Sequence, residues 1–288
     1  MSANVGLTWP IVFLVLFGAL LHASWNVLVK SSSDKTLDTA LIQLAGALIG
    51  IPLLLFVGLP LAESWPYIVA STVVHIGYYI ALSGAYRNGD LGLTYPLMRG
   101  VAPILVALSS AFVFPEAMSF SAWGGVLGVC TGVLILGLTQ HAFDNRRAVA
   151  YALANAVIIT IYTVIDGLGA RASGNAVQYV VALAVLDGWP FVLLVLAQRG
   201  RAAWSSIGVY SRTRWPMAAA GALASLASYG IALWAMTVAP VATISALRET
   251  SVLFAVLLGS WLLKEKFTVR RGLGACVIVA GVMALRLG

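Results

Sequence analysis

Four ionisable side chains lie inside long apolar segments of this sequence, namely Arg99, Asp187, Arg248 and Glu249. A charge at membrane depth is costly and usually faces a cavity or an opposite charge. Because arginine is a planar, bidentate donor that suits carboxylates and phosphates, Arg99 and Arg248 are candidates for holding an anionic group. The alternative is that each arginine pairs with a neighbouring helix, and Glu249 could help to neutralise the adjacent Arg248.

Aromatic, histidine and amide side chains share three faces at helical spacing. These faces carry Trp25 and Asn26 beside His22, then His75, Tyr78 and Tyr79, and finally Asn155 and Tyr162. Such faces are expected to look into a wet or ligand-filled cavity. The alternative is hydrogen bonding between helices, worth only about 1 kcal/mol for each bond. Three faces together favour the cavity, and we add Tyr95 and Tyr229 to the predicted substrate-binding residues.

Enzymatic chemistry has no support in the sequence. It contains no P-loop, HExxH or GxSxG motif and no carboxylate pair at a useful spacing. Cys130 and Cys276 have no cysteine or histidine neighbour that would indicate a metal or redox site. We therefore predict no enzymatic activity, no cofactor and no metal. His22 and His75 could titrate near neutral pH and couple a process to protons, although a lone buried histidine is more often neutral.

The composition indicates a membrane protein. Hydrophobic residues make up 61% of the chain and charged residues 9%, whereas a soluble domain carries about a quarter charged residues. The net charge of +7 comes mostly from short loops, so it indicates membrane topology and not nucleic-acid binding. Apolar segments of about twenty residues, the length that crosses the hydrocarbon, recur throughout. We predict ten spans at 9–29, 37–57, 67–86, 91–114, 120–138, 148–168, 177–196, 216–238, 241–263 and 272–287.

The two halves of the chain are related by a repeat. A shift of 149 (248 − 99) superposes, among others, Thr94 on Thr243, Arg99 on Arg248, Leu108 on Leu257, Glu116 on Glu265, Gly125 on Gly274 and Gly132 on Gly281. Five spans in each half is an odd number, so the halves must enter the membrane in opposite senses. We therefore predict an all-α polytopic membrane protein with ten transmembrane helices in two inverted five-helix repeats, residues 1–140 and 141–288. Inverted repeats are a common plan of secondary transporters, with the substrate site near the midplane.

Lysine and arginine counts predict the orientation. Loops after the odd-numbered spans hold thirteen of these residues, and the opposite side holds only Arg171 and Arg286. The positive-inside rule then places the odd loops in the cytoplasm and both termini on the periplasmic side.

One face of the fifth span carries Gly124, Gly128 and Gly132 and so has no side chains at these positions. Gly274 and Gly281 do the same in the tenth span. Such faces let helix backbones approach closely. We expect this packing to occur within a monomer, with a homodimer as the alternative.

Several segments resemble the EamA-type transporters of the drug/metabolite transporter superfamily. They are the LHASWNVLVKSS end of span one and the two hinge segments FPEAMSFSAWGGVLGVCTGVLIL and LKEKFTVRRGLGACVIVAGVMAL. The resemblance implies a helical bundle that works by alternating access, in which spans five and ten lie to the side. It also implies that Glu116 and Glu265 are structural hinge residues. The first hinge reads FPE, where the family usually has a turn of the Leu-Gly-Glu type.

The resemblance further implies a bacterial inner-membrane exporter of small metabolites, most commonly amino acids. Arg248 or Arg99 would meet a substrate carboxylate, and Glu249 would meet an ammonium. The expected partners are a small-molecule substrate and the lipid bilayer. The alternatives are transport of phosphorylated metabolites, nucleotide-sugars or organic cations and, in another class, a non-transporting membrane scaffold.

Overall fold

Helices make up nearly all of the described chain. The computed structural model describes residues 7–30, 32–88, 91–114, 116, 118–137, 145–200, 204–262, 264 and 268–287. Glu265 and the predicted boundary at 140/141 lie outside these residues. The helices are α1 (Trp9–Lys30), α2 (Lys35–Val57), α3 (Trp65–Asn88), α4 (Leu91–Val113), α5 (Phe120–Gly137), α6 (Arg146–Ala172), α7 (Ala176–Arg199), α8 (Trp204–Val238), α9 (Val241–Arg248), α10 (Thr250–Leu262) and α11 (Val269–Leu287), with a short 3-10 turn at Ala62–Ser64.

The described helices have the length and composition of membrane spans. Nine helical segments in this part of the chain are long and apolar enough to cross a bilayer, and α9 and α10 together make one of them. The tenth predicted span is α11, whose 19 residues extend over about 28 Å. Its three arginines lie near its two ends. The predicted all-α polytopic membrane fold is confirmed.

Two helix boundaries differ from the prediction by more than a few residues or divide a span. Helix α8 begins at Trp204, well before the predicted start at 216, because Pro216 is accommodated inside the helix. The ninth span is broken, since α9 ends at Arg248 and α10 begins at Thr250. At the break the Glu249 amide bonds back to the Ala246 carbonyl at 3.0 Å. This tight turn leaves the side chains of Arg248 and Glu249 at a helix end.

Helices α5 and α11 pack antiparallel along their glycines. A Cβ placed on Gly132 would lie 2.8 Å from the Gly274 carbonyl oxygen, and one on Gly281 would lie 2.9 Å from the Gly125 carbonyl oxygen. Since the repeat superposes Gly125 on Gly274 and Gly132 on Gly281, exchanging the halves turns one contact into the other. Gly128 faces Gly281 in the same seam, whereas nothing lies within 4 Å of a Cβ on Gly124.

Several other helix contacts also come in related pairs. Helix α1 packs on α8 as α6 packs on α3, and α1 packs on α10 as α6 packs on α4. Helix α2 packs on α7, its own counterpart in the repeat. Exchanging the halves maps these contacts onto one another, as expected of a repeat.

Ion pairs join the two halves at the end of the bundle that holds the odd loops. Asp34 caps α2 and lies 2.7 Å from Arg199 at the end of α7. The hydrogen bond from Arg199 holds the pKa of the Asp34 carboxyl below its usual range. Asp38 is fully buried, lies 2.5 Å from Arg214 on α8 and accepts a hydrogen bond from Tyr210 at 2.9 Å.

A third ion pair joins the halves at the opposite end. Glu116 follows α4, and one of its carboxylate oxygens lies 2.5 Å from Arg171 at the end of α6. Its other oxygen accepts the Val241 amide at 3.1 Å, which caps the first turn of α9. Arg171 also donates from Nε to the Met236 carbonyl at 2.9 Å and lies over the Phe114 ring. Glu116 thus fixes where α6, α8 and α9 meet.

Candidate functional site

A buried ion pair between α4 and the break after α9 lies in the interior of the bundle. Arg99 Nε is 2.8 Å from Glu249 Oε2, and these residues are only 7% and 3% exposed. The same guanidinium lies 3.3 Å from His22 Nε2 and donates to Ser251 Oγ at 3.3 Å. It also lies 5.9 Å from the Tyr95 ring centroid. Protein groups from α1, α10 and the break after α9 therefore surround Arg99.

Arg248 has no such carboxylate. Glu249 forms its close ion pair with Arg99, and the adjacent Arg248 is not part of that pair. The two arginines differ because the residue after each one differs between the halves. Arg248 is followed by Glu249, whereas Arg99 is followed by Gly100. The bundle interior thus offers one glutamate to two related arginines. Among the described residues Arg248 makes no ion pair, and its half-buried guanidinium lies 5.1 Å from the Tyr229 ring centroid.

Four aromatic residues from α3 and α6 form a second cluster beside this charge. The His75 ring stacks on Tyr162 with centroids 4.5 Å apart, and it meets the edge of Tyr78 at 6.2 Å. Tyr78 contacts both Tyr162 at 6.0 Å and Tyr79 at 5.3 Å. The predicted faces of the third and sixth spans therefore meet in the bundle interior.

Two carboxylates enter the cluster from α6 and α7. Asp166 is fully buried, and its two oxygens accept the hydroxyls of Tyr179, at 2.8 Å, and of Tyr229. Asp187 accepts the Tyr79 hydroxyl at 3.4 Å, and its other oxygen lies 3.7 Å from His75 Nδ1. Gln43 on α2 donates to the Tyr79 hydroxyl, so Gln43, Tyr79, Asp187 and His75 form a continuous series of polar contacts. Neither aspartate has an arginine or lysine partner among the described residues.

Asp166 is the residue that sequence reasoning missed. It lies inside the predicted sixth span, close to its end, where an acidic residue reads as part of a loop. The helix in fact continues to Ala172. The sequence did contain a signal: no lysine or arginine lies within four residues of Asp166, and the next one is Arg171. A carboxylate without a cation on its own helix has to find its partners on other helices.

Nine of the twelve predicted site residues lie around the two clusters, and three lie elsewhere. Those gathered around the two clusters are His75, Tyr78, Tyr79, Tyr95, Arg99, Tyr162, Tyr229, Arg248 and Glu249. Trp25 lies at the margin, because its ring meets the edge of His22 at 5.3 Å while its other contacts are with core residues of α2 and α8. Asn26 bonds the carbonyl of His22 in its own helix at 2.7 Å. Asn155 is buried against α4, where its amide lies 2.8 Å from the Met98 sulfur.

Residues 146–287 match the model of the EamA-like transporter family. A solved crystal structure covers 96% of this chain and 98% of its own length, with a TM-score of 0.76 at 19% sequence identity. At that identity the likeness shows the fold alone. The family match falls on the second predicted half, while the structural likeness extends over both. The resemblance predicted from the sequence is confirmed.

Proposed function

We propose that this chain, whose residues 146–287 match the EamA-like transporter family, is a membrane transporter that exports amino acids or similar small metabolites by alternating access. The proposed location is a bacterial inner membrane, with both termini on the periplasmic side. The substrate site lies between the halves, where Arg248, the Arg99–Glu249 pair and the aromatic cluster converge.

The observation that carries this proposal is the guanidinium of Arg248. It is a cation in the bundle interior, at a helix break, without a carboxylate partner among the described residues. An arginine in a poorly hydrated site binds an anion strongly because its planar donors fit a carboxylate. Arg99 is already engaged by Glu249. A substrate with one carboxylate therefore fits the one guanidinium that is available.

The aromatic cluster would contact the rest of the substrate. His75, Tyr78 and Tyr162 offer ring faces and edges next to polar tips, a combination that suits the apolar part of an amphipathic molecule. Glu249 could bind a substrate ammonium only if its ion pair with Arg99 were broken. Binding of the substrate carboxylate by Arg248 is therefore the stronger part of the proposed site.

Alternating access is supported by the ion pairs between the halves. Asp34 and Asp38 bind arginines of the second half at one end, and Glu116 binds Arg171 at the other. Each set has to separate when its end opens. Closure at both ends is expected of the occluded stage in a cycle of two rocking repeats.

A second candidate function is transport of organic cations. The observation that favours it is the group of three tyrosine rings around His75, because aromatic faces attract cations. Phosphorylated metabolites are less suited, since a phosphate group would call for more positive charge than Arg248 provides.

Counterflow in proteoliposomes tests the proposal. Vesicles are loaded with a mixture of amino acids, and the entry of one labelled amino acid at a time is followed. Arg248→Ala should weaken the apparent affinity about tenfold to a hundredfold, because a hydrogen bond to a charged group is worth about 1.5–3 kcal/mol.

Arg286→Ala is the matched control. Arg286 is also a half-buried arginine over an aromatic ring, 5.2 Å from the Trp9 centroid, but it lies at the end of α11. It should leave the affinity unchanged. Folded wild-type protein that exchanges no amino acid but does exchange an organic cation would replace the first candidate with the second. Equal affinities in wild type and Arg248→Ala would remove Arg248 from the site.

A further inference from the structure

The guanidinium of Arg248 lies over the ring of Tyr229 on α8. The guanidinium carbon is 5.1 Å from the ring centroid, within the range at which an aromatic face attracts a cation. Arg248 makes no ion pair with any residue that the structure describes. An arginine side chain is long and has many rotamers, so the contact with this ring decides where its planar donors point.

Tyr229 is itself held at its hydroxyl. That hydroxyl donates to Oδ2 of Asp166 on α6. The other carboxylate oxygen, Oδ1, accepts the hydroxyl of Tyr179 on α7 at 2.8 Å. Asp166 and Tyr179 are fully buried, and a hydrogen bond to an ionised acceptor is about twice as strong as one between neutral groups. The Tyr229 ring is therefore fixed by its polar end as well as by its packing in the core.

A glycine makes room for this arrangement. Gly169 follows Asp166 by three residues on α6, so the two lie on the same side of the helix. A Cβ at Gly169 would lie 2.5 Å from the hydroxyl oxygen of Tyr179, which is too close for a stable contact. A larger residue at this position would therefore push Tyr179 away from Asp166.

The first half of the chain has no equivalent of this aspartate. A shift of 137 (166 − 29), which relates α1 to α6, places Val29 at the position of Asp166. The arginine of the first half, Arg99, is held by Glu249 instead. The carboxylate that anchors a tyrosine thus lies in the half whose arginine, Arg248, makes no ion pair within the described residues.

We propose that Asp166 is a positioning residue of the substrate site, acting through Tyr229 to orient the guanidinium of Arg248 towards a substrate carboxylate. The inference rests on the proposed function and adds to it the residues that hold its central cation in place. A guanidinium that is oriented in advance loses less entropy when the carboxylate binds. Hydrogen bonds in series also polarise one another, so donation to Asp166 makes the Tyr229 ring a better partner for a cation.

Counterflow competition between an amino acid and its own amide, leucine and leucinamide in the first instance, tests this role. The two compounds differ at one group, because leucinamide has a neutral amide in place of the carboxylate. Tyr229→Phe removes the hydroxyl and keeps the ring, and Asp166→Asn leaves one acceptor oxygen where two are needed. Each variant should reduce the preference for leucine about tenfold, the value of one well-oriented hydrogen bond to a charged group. The affinity for leucinamide should stay at its wild-type value.

A purely structural role would lower both affinities together. Tyr210→Phe is the matched control, because Tyr210 also donates to a fully buried aspartate, Asp38, at 2.9 Å, but at the end of the bundle. It should leave the preference for leucine unchanged. In an Arg248→Ala background, Tyr229→Phe should have no further effect on this preference, because the two residues act as one unit. An equal loss with and without Arg248 would overturn the inference.

A second measurement needs no substrate. Phenylglyoxal reacts with guanidinium groups, and peptide mass spectrometry gives the modified fraction of each arginine. Arg248 should react faster in Tyr229→Phe and in Asp166→Asn than in wild type, because the ring no longer holds it. Arg286, which lies over the Trp9 ring, is the internal reference and should react at the same rate in all three proteins. An unchanged rate at Arg248 would contradict the positioning role.

The positioning role and the proposed function fail in different ways. If wild type exchanges no amino acid, the proposed function fails, and the phenylglyoxal rates alone decide whether Asp166 positions Arg248. If wild type and both variants show the same preference for leucine, transport stands and the positioning role is overturned. Tyr229→Phe keeps the packing of the ring, so it provides the test if Asp166→Asn does not fold.

Discussion

At the scale of single residues, two arginines that the repeat relates have different contacts in the two halves of the bundle. The repeat superposes Arg99 on Arg248. Arg99 is enclosed by Glu249, His22 and Ser251, whereas Arg248 lies over the ring of Tyr229 and makes no ion pair within the described part of the chain. One difference between the halves is glycine at 100 where the second half has glutamate at 249. Arg99 is part of the scaffold of the bundle, and in the proposed function Arg248 is the arginine that meets the ligand.

Removing the scaffold arginine should therefore affect stability more than ligand affinity. Arg99→Ala leaves Glu249 buried without its cation, which costs about 3–5 kcal/mol. The expected result is a large fall in the unfolding temperature of the purified protein, followed by tryptophan fluorescence. Adding Glu249→Gln to Arg99→Ala should recover much of that loss, because the orphaned charge is gone. If the double variant unfolds as early as the single variant, the ion pair is not the source of the loss.

Sequence reasoning reached the identity of these residues but not their pairing. Buried charges in an apolar chain are conspicuous, so Arg99, Arg248, Glu249 and Asp187 could all be predicted to matter. Glu249 pairs with Arg99 and not with its chain neighbour Arg248. This pairing depends on the helix break and on the approach of α4, and both depend on tertiary structure. Asp166 was missed for the related reason that its tyrosine partners lie on α7 and α8.

At the scale of secondary structure elements, the antiparallel contact of α5 with α11 depends on the absence of side chains. A Cβ on Gly281 would lie 2.6 Å from the backbone nitrogen of Val129, a distance that only movement of a whole helix could relieve. The glycine pattern predicted a close helix contact, and the structure places that contact within one chain. Sequence alone could not choose Gly125 over Gly124, because the choice depends on how each helix is rotated.

Gly281→Val should separate α5 from α11. Overpacking of this kind costs about 1–3 kcal/mol, so the variant should unfold at a lower temperature and denaturant concentration than wild type. Gly124→Ala is the matched control, because nothing lies within 4 Å of a Cβ at that position. It should be neutral or slightly stabilising, since alanine is the better helix former. Equal unfolding temperatures for both variants would mean that the seam contributes little.

At the scale of the whole molecule, the arginine distribution predicts an orientation in the membrane. The ends of α1 and α7 share one end of the bundle, with the ion pairs of Asp34 and Asp38. The end of α6, with Arg171, lies at the other. Counting positive charges from the sequence predicts that the first of these ends is cytoplasmic.

Fusions to the C-terminus test this orientation. A periplasmic C-terminus should give an active alkaline phosphatase fusion, because that enzyme needs disulfides that form in the periplasm. A green fluorescent protein fusion at the same position should be dark when exported through the general secretory route. The opposite pair of results would reverse the orientation and, with it, the assignment of each ion-pair cluster to a side of the membrane.

The length of α8 has a consequence for how the surrounding lipid acts on the protein. Its 35 residues extend over about 52 Å, well beyond the roughly 30 Å of hydrocarbon. In the predicted orientation the excess carries Arg212 and Arg214 into the headgroups of the cytoplasmic leaflet, where anionic lipids attract basic side chains. Arg214 is also the partner of Asp38. Phospholipid headgroups and Asp38 then compete for the same guanidinium, so the fraction of acidic lipid in the membrane would set how firmly that end of the bundle stays shut.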